Sequence, residues 1–477
     1  MMRSMYSGVS GLRVHQTKMD VIGNNIANVN TTGFKASSVA FSDIFYQTTQ
    51  SASGPNELTG TAGTNAKQIG LGANLASIKA SFTGGGAQRT DNPFDIMING
   101  DAFFIVNNGG TNYFTKAGNF EIDAYGTLTA SDGSPVMGWG VDAKDPNKIA
   151  PGEVHRLDVM GPANLSTSPA ATTHAYFRGN IDKNDTQLVD GKPAQVQFYD
   201  STGNLYTIKM SVKAVVGAQG DYEVNIVDVM DINDKSIFAE FDPQSKTYKA
   251  STINTQIEIG GQAFTIGAVD PQTGQVTLNG NAGDGNKIHF NPGTGEFVKM
   301  GPTDGSKSAV IKITSNIQGL FKDIDLDFSN LTMYNTSGRS TIESQRGSTK
   351  GIGAGKKVGN MTGVSIDQSG KIYGAYDNGD QKLLGQLAVA TFSNPQGLEA
   401  VGNNRFTVTQ NSGDFDGIGL DITANGGSFS TGVLEMSNVD LAQQFTDMIT
   451  TQRGFQANSR IITTSDSLLE ELVNLKR

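Results

Sequence analysis

The segment Gly351-Ile352-Gly353-Ala354-Gly355-Lys356-Lys357 has the glycine density and terminal lysine of a loop that cradles phosphate through backbone amides. Its spacing is wrong for that chemistry. A phosphate-binding loop needs Gly five residues before the Gly-Lys pair and Ser or Thr after it, and those positions hold Lys350 and Lys357. A dinucleotide fingerprint would need Gly at position 356, which is Lys. Asp231-Ile232-Asn233-Asp234-Lys235-Ser236 starts like a calcium loop but has Lys and Ser where a ligand and Gly belong, so it reads as a polar hairpin turn. Asp414 and Asp416 are a carboxylate pair in a Gly-rich turn, with no histidine near them in sequence. The four histidines, His15, His155, His174 and His289, offer no local metal-binding pair, and the absence of cysteine excludes disulfides, thiolate ligands and Cys nucleophiles. No G-x-S-x-G nucleophile elbow occurs. The expectation is a protein that is not an enzyme and has no cofactor or metal.

Composition narrows the class further. The 477 residues suggest about three domains at roughly 150 residues each. Charged residues are 17% of the chain and Gly 59 of 477, against typical values of about 25% and about 7%. The surface is therefore polar but weakly charged. A net charge of −10 argues against nucleic acid as a partner, since binding that polyanion requires clustered Lys and Arg. No stretch approaches the ~18 apolar residues of a membrane span, and the N-terminus lacks the apolar run of a secretory signal. The protein is expected to be cytoplasmic, or exported by a route that reads no cleaved signal.

Two helical ends enclose everything else. From Met5 to Val29, Met5, Leu12, Met19 and Ile26 recur at intervals of seven, with Ile22 and Val29 three residues after Met19 and Ile26. Gly8, Gly11 and Gly23 each weaken such a helix by up to ~1 kcal/mol relative to Ala, so it needs a partner. At the other end, Leu441, Met448, Phe455, Ile462 and Leu469 also recur at intervals of seven, widened by Phe445, Leu468, Leu472 and Leu475. Ser437 with Asp440 predicts a capping-box-like start, with Met436 stapled to Leu441. A helix from Asn438 to about Leu475 would be roughly 57 Å long, which suggests a coiled-coil element. Between Leu441 and Ser465 only Asp447, Arg453 and Arg460 are charged, so the outer face is expected to meet protein as well. The alternative is that the helices pack only within their own chain.

The intervening chain reads as β. Asp95–Ile98, Phe103–Val106, Tyr113–Thr115, Phe120–Ile122 and Thr127–Thr129 are short runs separated by Gly, Asn and Asp turns. Residues 160–330 continue as hairpins: Val196 and Phe198 lead through Asp200–Asn204 to Tyr206, Ile208, Met210 and Val212 at period two. Asp270–Gly274 and Asn291–Gly295 read as further turns, and a parallel α/β sheet is not expected. Residues 47–66 and 337–360 read as loop-like linkers. Patterning resumes at Thr362 and includes an apolar strand over Leu387–Phe392.

Two blocks carry a family resemblance. Residues 20–35, DVIGNNIANVNTTGFK, closely resemble the N-terminal signature of bacterial flagellar axial rod and hook proteins. Gly432–Leu441, Met448-Ile449, Gln452–Asn458 and Leu472–Arg477 resemble that family's terminal block, and similarity extends over Ile98–Gly138 and Gly363–Asn404. The β-rich insertion between residues 160 and 330 resembles the outer region of hook members, rod members being shorter. The segment from Tyr46 to residue 66 resembles a stretch of distal rod proteins found in only some hook proteins, which keeps a distal rod protein as an alternative. A β-rich surface adhesin with helical oligomerisation ends is the alternative from a different class.

The resemblance implies a mainly β fold: antiparallel β domains nested between N- and C-terminal α-helices that form a coiled-coil-like core. The expected division is 1–35 with 434–477 as the helical core, 36–90 with 405–433 as a connecting segment, 91–159 with 336–404 as an inner β domain, and 160–335 as an inserted outer region. It further implies a self-assembling hollow, flexible tube that serves as a universal joint between motor and filament. The implied partners are further copies of itself, the distal rod protein, the hook cap protein, the hook-filament junction proteins and the flagellar type III export apparatus. The implied place is outside the cell, in the hook. The assembly surface would comprise Met5, Leu12, Met19, Ile22, Ile26, Val29, Leu441, Phe445, Met448, Phe455, Ile462, Leu469 and Leu472. Asn24, Asn25, Asn28 and Asn30 could bond neighbouring subunits or simply end the first helix. Arg453, Gln456 and Arg460 could line a lumen or merely face solvent.

Overall fold

The computed structural model describes residues 2–475 except 56–59, 61 and 281–282. The chain forms two units, one made of Met1–Leu165, Gly363–Ala375 and Gln381–Arg477, the other of Ser166–Thr362 and Tyr376–Asp380.

In the first unit, helices Met2–Ala27 and Leu441–Asn474 lie antiparallel. The C-terminal helix begins later than the sequence suggests. Its N-cap is Asp440, whose carboxylate accepts from Ala442 N at 2.9 Å and Gln443 N at 3.2 Å. Ser437 is not the cap because the chain there is held extended: Asn438 Oδ1 accepts from Ala36 N at 2.7 Å and its Nδ2 donates to Ser81 O at 2.8 Å. The helix has 34 residues, about 51 Å at 1.5 Å each. The N-terminal helix stops at Ala27, so Val29 stands in the following turn and not on a helical stripe. Asn28 Nδ2 donates to Asn24 O and Oδ1 there, which competes with further helix.

Outgoing and returning strands then pair. Ile96–Asn99 lies against Ser428–Thr431 and Ala87–Arg89 against Val433–Glu435, which brings both ends of the β body to one place. Phe103–Asn108 and Thr111–Thr115 form a hairpin flanked by Val389–Ala390 and Arg405–Thr407. The expected apolar run at 387–392 is thus divided between two sheets, Gln381–Leu387 pairing with Lys371–Tyr376 instead. The core of this unit includes fully buried Phe103, Phe104, Phe114 and Phe120, with Phe103 edge-on to Phe82 at 5.4 Å and to Phe392 at 5.7 Å. Truncating such a ring to Ala costs about 3–5 kcal/mol, so these positions hold the inner strands in register.

The segment at 47–66 is not wholly a linker. Tyr46–Gln50 pairs with Lys67–Gly70, and Ser37–Asp43 pairs with Ala73–Ala80. Residues 56–59 and 61 of that expected linker lie outside the described residues. The strand went unseen because TTQ and KQIG are exposed on both faces and carry no alternation.

The second unit packs a seven-stranded sheet and a five-stranded sheet over one apolar core that includes Phe177, Phe198, Ile208, Val224, Phe238 and Ile311. Leu205–Ala214 shows why: Ile208, Met210 and Val212 alternate inward while Lys209 and Ser211 remain partly exposed. The turns at Asp200–Asn204, Asp270–Gly274 and Asn291–Gly295 connect hairpins as expected. Three details depart from expectation. His174–Asn180 runs parallel to Ile324–Thr332, Gln187–Asp190 makes one helical turn, and Thr341–Arg346, inside the second expected linker, is a strand paired with His174–Asn180. Its pattern is legible only in its pairing, since TIESQR has a single large apolar residue.

Candidate assembly interface

Two of the loops singled out for their chemistry make structural contacts of their own. In the second unit Lys356 pairs with Asp380 and Lys357 lies 3.6 Å from Asp377, while Ala170 and Lys356 exchange backbone hydrogen bonds. The basic glycine-rich loop is spent on fastening itself. Asp231 Oδ1 accepts from Asn233 N and Lys235 N, both at 2.8 Å, as an Asx turn closing a hairpin.

The two helices meet through small and polar residues. Ser4 faces Ser465 with 3.4 Å between hydroxyls, Asn25 Nδ2 donates to Gln444 Oε1 at 3.1 Å, and Lys18 Nζ sits 3.3 Å from Asp447 Oδ1. Between these, a Cβ on Gly11 would come within 2.6 Å of Asn458 Nδ2, and one on Gly454 within 2.7 Å of the His15 ring. Glycine is what allows this approach. On the C-terminal helix the facing stripe is Gln444, Thr451, Asn458 and Ser465, spaced by seven and without one large apolar side chain. Burial and nearby Lys18 lower the His15 pKa, and its buried Nδ1 has no hydrogen-bond partner, nor has Thr451 Oγ1.

The expected apolar heptads therefore sit beside this seam. Of the N-terminal set only Ile22 is buried, whereas Met5, Leu12, Met19 and Ile26 are half-buried and Val29 is in the turn. Val14, Gly8, Gly11 and Asn25 occupy the enclosed positions instead. Of the C-terminal set Met448, Phe455, Ile462 and Leu469 are half-buried, and Leu441, Phe445 and Leu472 are 40, 51 and 49% exposed. Thr451 and Ser465 are the buried residues of that helix. The helices do pack within their own chain, on a stripe offset from most of the apolar one; Ile462 is an exception, lying against Gly8, where an added Cβ would come within 3.2 Å of its Cγ1. Arg453 Nη1 reaches Gln456 Oε1 at 3.4 Å on the exposed face, where Arg460 also lies.

Beneath the helices a polar clasp joins the chain ends to the β body. Lys35 Nζ donates to Glu435 Oε1 at 2.7 Å and to Thr83 O at 2.8 Å, and Gly85 N donates to the same Oε1 at 2.9 Å. Gly33 N donates to Glu435 O at 2.8 Å, and Asn25 exchanges hydrogen bonds with the Ser37 backbone. Asn25 is thus spent inside the chain, as a bridge between the helix, the first strand and Gln444. Close by, burial pushes the Lys116 ammonium down to about 8, outweighing the opposing pull of Glu435; its Nζ donates to Gly100 O at 2.8 Å. Sequence reasoning named Asn25 and passed over Lys35, Glu435 and Asn438 as mere members of motifs. The available signal was that each is a polar residue in a block otherwise suited to burial.

Comparison with known proteins follows this geometry. Residues 5–35 match the family model described as flagella basal body rod protein, 97–166 the flagellar hook protein FlgE/F/G D1 domain, and 430–475 the flagellar basal body rod FlgEFG protein C-terminal. The chain is 36% identical over 490 residues to the flagellar hook protein FlgE of Borreliella burgdorferi and 34% identical over 492 to that of Treponema pallidum, each alignment covering 100% of both chains. It is 26% identical over 477 residues to the flagellar basal-body rod protein FlgG of Bacillus subtilis, again covering 100% of both. With the two ends and the first β segment matched in order, and with full-length identity greatest among these to hook proteins, the chain belongs to the flagellar hook protein family.

Proposed function

We propose that this chain is the structural subunit of the bacterial flagellar hook, polymerising through its terminal helices into a hollow, flexible tube that transmits torque from rod to filament. One observation carries the reading: apart from buried Ile22, the apolar heptad residues remain half-buried or exposed alongside a largely polar intramolecular seam. Leaving that much aliphatic and aromatic surface wet is unfavourable by about 25 cal/mol per Å², so neighbouring copies have a driving force to cover it. Met5, Leu12, Met19, Ile22 and Ile26 with Leu441, Phe445, Met448, Phe455, Ile462, Leu469 and Leu472 form the contact surface in this reading; Val29 joins it from the turn. Lower identity to the rod relative makes a distal rod role the weaker alternative.

The finer parts belong to the same proposal. The helical core comprises 1–35 and 434–477, the connecting segment 36–90 and 405–433, the inner β domain 91–159 and 336–404, and the outer region 160–335. Helices weakened by Gly8, Gly11 and Gly23 pass unfolded through the type III export apparatus and fold outside the cell where neighbours bury their stripes. Rod, cap and junction proteins meet the two ends of the polymer. The role is mechanical and calls on no catalytic group. Negative-stain microscopy of the concentrated full-length protein tests the reading: hollow tubes are expected, and discrete trimers or pentamers would favour an adhesin-like oligomer instead.

A further inference from the structure

The stripe of the C-terminal helix that faces the N-terminal helix changes character along its length. Gln444, Thr451, Asn458 and Ser465 are followed at the same spacing by Leu472, with Leu468 and Leu475 filling the intermediate turns. These leucines are 46, 49 and 83% exposed, so among the described residues the most apolar part of the stripe is also its most open part. Glu471 stands at the edge of this face and is exposed, whereas Glu470, about 200° round the helix from Leu468, points away from it. Elsewhere in the same unit a groove of about 440 Å³ runs along the start of the N-terminal helix, lined by Tyr6, Val9, Ile44 and Leu71 and flanked by Arg3 and Arg13. Among the described residues, Arg3, Arg13 and Glu471 form no ion pair.

We infer that the leucine end of the C-terminal helix of one copy docks into this groove on a second copy, Leu468, Leu472 and Leu475 entering between Tyr6, Val9 and Ile44, with Glu471 against Arg3 and Arg13. This rests on the reading of the chain as a self-assembling subunit and names two surfaces that meet. The occupant is another copy because the C-terminal helix is continuous to Asn474 and leaves Ser4 at Ser465. Its last two turns cannot bend back onto residues 3–13 of their own chain. Knob and groove are different surfaces of one molecule, so the contact is heterologous and propagates as an open helical polymer. Apolar burial supplies the attraction, and the opposite charges select the docking direction.

Two full-length variants, R3E/R13E and E471R, each place like charges across the contact at exposed positions. Each alone is expected to stay monomeric in sedimentation at ten times the concentration at which the unaltered chain polymerises, with unchanged far-UV circular dichroism. Mixed in equal amounts they are expected to copolymerise, because the acidic end of the first meets the basic groove of the second and the basic end of the second meets the acidic groove of the first. Misfolded variants, or a groove filled by its own chain, would not be rescued by mixing. Variants that polymerise like the unaltered chain, or a mixture that stays monomeric beside an unaltered chain that polymerises, overturn the docking and leave the subunit reading in place. An unaltered chain that forms no polymer overturns both.

Discussion

Lys35 Nζ lies 2.7 Å from Glu435 Oε1 across 400 positions of sequence, with both side chains almost wholly enclosed at 1 and 2% exposure. Each partner holds a charge that the surrounding apolar body cannot solvate alone, and Glu435 Oε2 has no hydrogen-bond partner. The pair ties the entrance of the β body to its exit, so its integrity decides whether the two terminal helices leave from one place.

Removing one member leaves the other charge buried and unpaired, which costs about 3–5 kcal/mol. Lys35→Met and Glu435→Gln are each expected to lower stability by about that amount in urea unfolding of the full chain. The double change K35M/E435L is expected to cost less than the sum of the single ones. Single changes within about 0.5 kcal/mol of the unaltered protein would show that water reaches the pair.

Lys116 supplies a pH dependence of defined sign. Its folded pKa of about 8 is below the ordinary lysine value of 10.5, so between these pH values the unfolded chain binds a proton that the native chain does not. The Lys116 contribution to stability therefore rises with pH through this window, by about 3 kcal/mol in all at ~1.4 kcal/mol per unit. Comparing Lys116→Met with the unaltered chain at pH 8 and 10 isolates it. Equal pH slopes for the two would place the ammonium in contact with water.

Gly454 fits against the His15 ring only without a side chain. Gly454→Val is expected to push the helices apart at a cost of about 1–3 kcal/mol, despite the better backbone entropy of Val over Gly. Thermal unfolding followed by far-UV circular dichroism would move to lower temperature. No movement there would mean that the seam tolerates a wider spacing.

Phe455 separates monomer stability from assembly. It is half-buried in the single chain, so Phe455→Ala is expected to change monomer unfolding by much less than the ~3–5 kcal/mol of an enclosed ring. The critical concentration for polymerisation should rise severalfold or more. An unchanged critical concentration removes Phe455 from the proposed contact surface.

The second unit has a core of its own, which includes Phe177, Phe198 and Ile311. Replacing residues 160–335, the proposed outer region that contains this core, by a short Gly/Ser linker is expected to leave hollow tubes with altered curvature under the electron microscope. Failure to assemble, or tubes of the same curvature, would contradict the expectation that an inserted region with a core of its own affects bending without holding the polymer together.

The sequence by itself determined what is local. Heptad spacing marked a helix at each end, period-two runs marked Leu205–Ala214 and its neighbours, and Asp200, Asp270 and Asn291 marked turns, because side-chain direction and turn chemistry are set within a few residues. Only the tertiary structure decided which side of each helix meets the other. Hydropathy points to Leu12 and Phe455, yet closest approach goes to Gly11, Asn458 and Gly454, since small side chains let backbones come together and leave no apolar signature. It also decided that Thr341–Arg346 is a strand, borrowing its order from His174–Asn180, and that Lys35 finds Glu435. Those contacts join residues far apart in sequence, where no periodicity connects the partners and only the closed fold brings opposite charges or free backbone groups within reach.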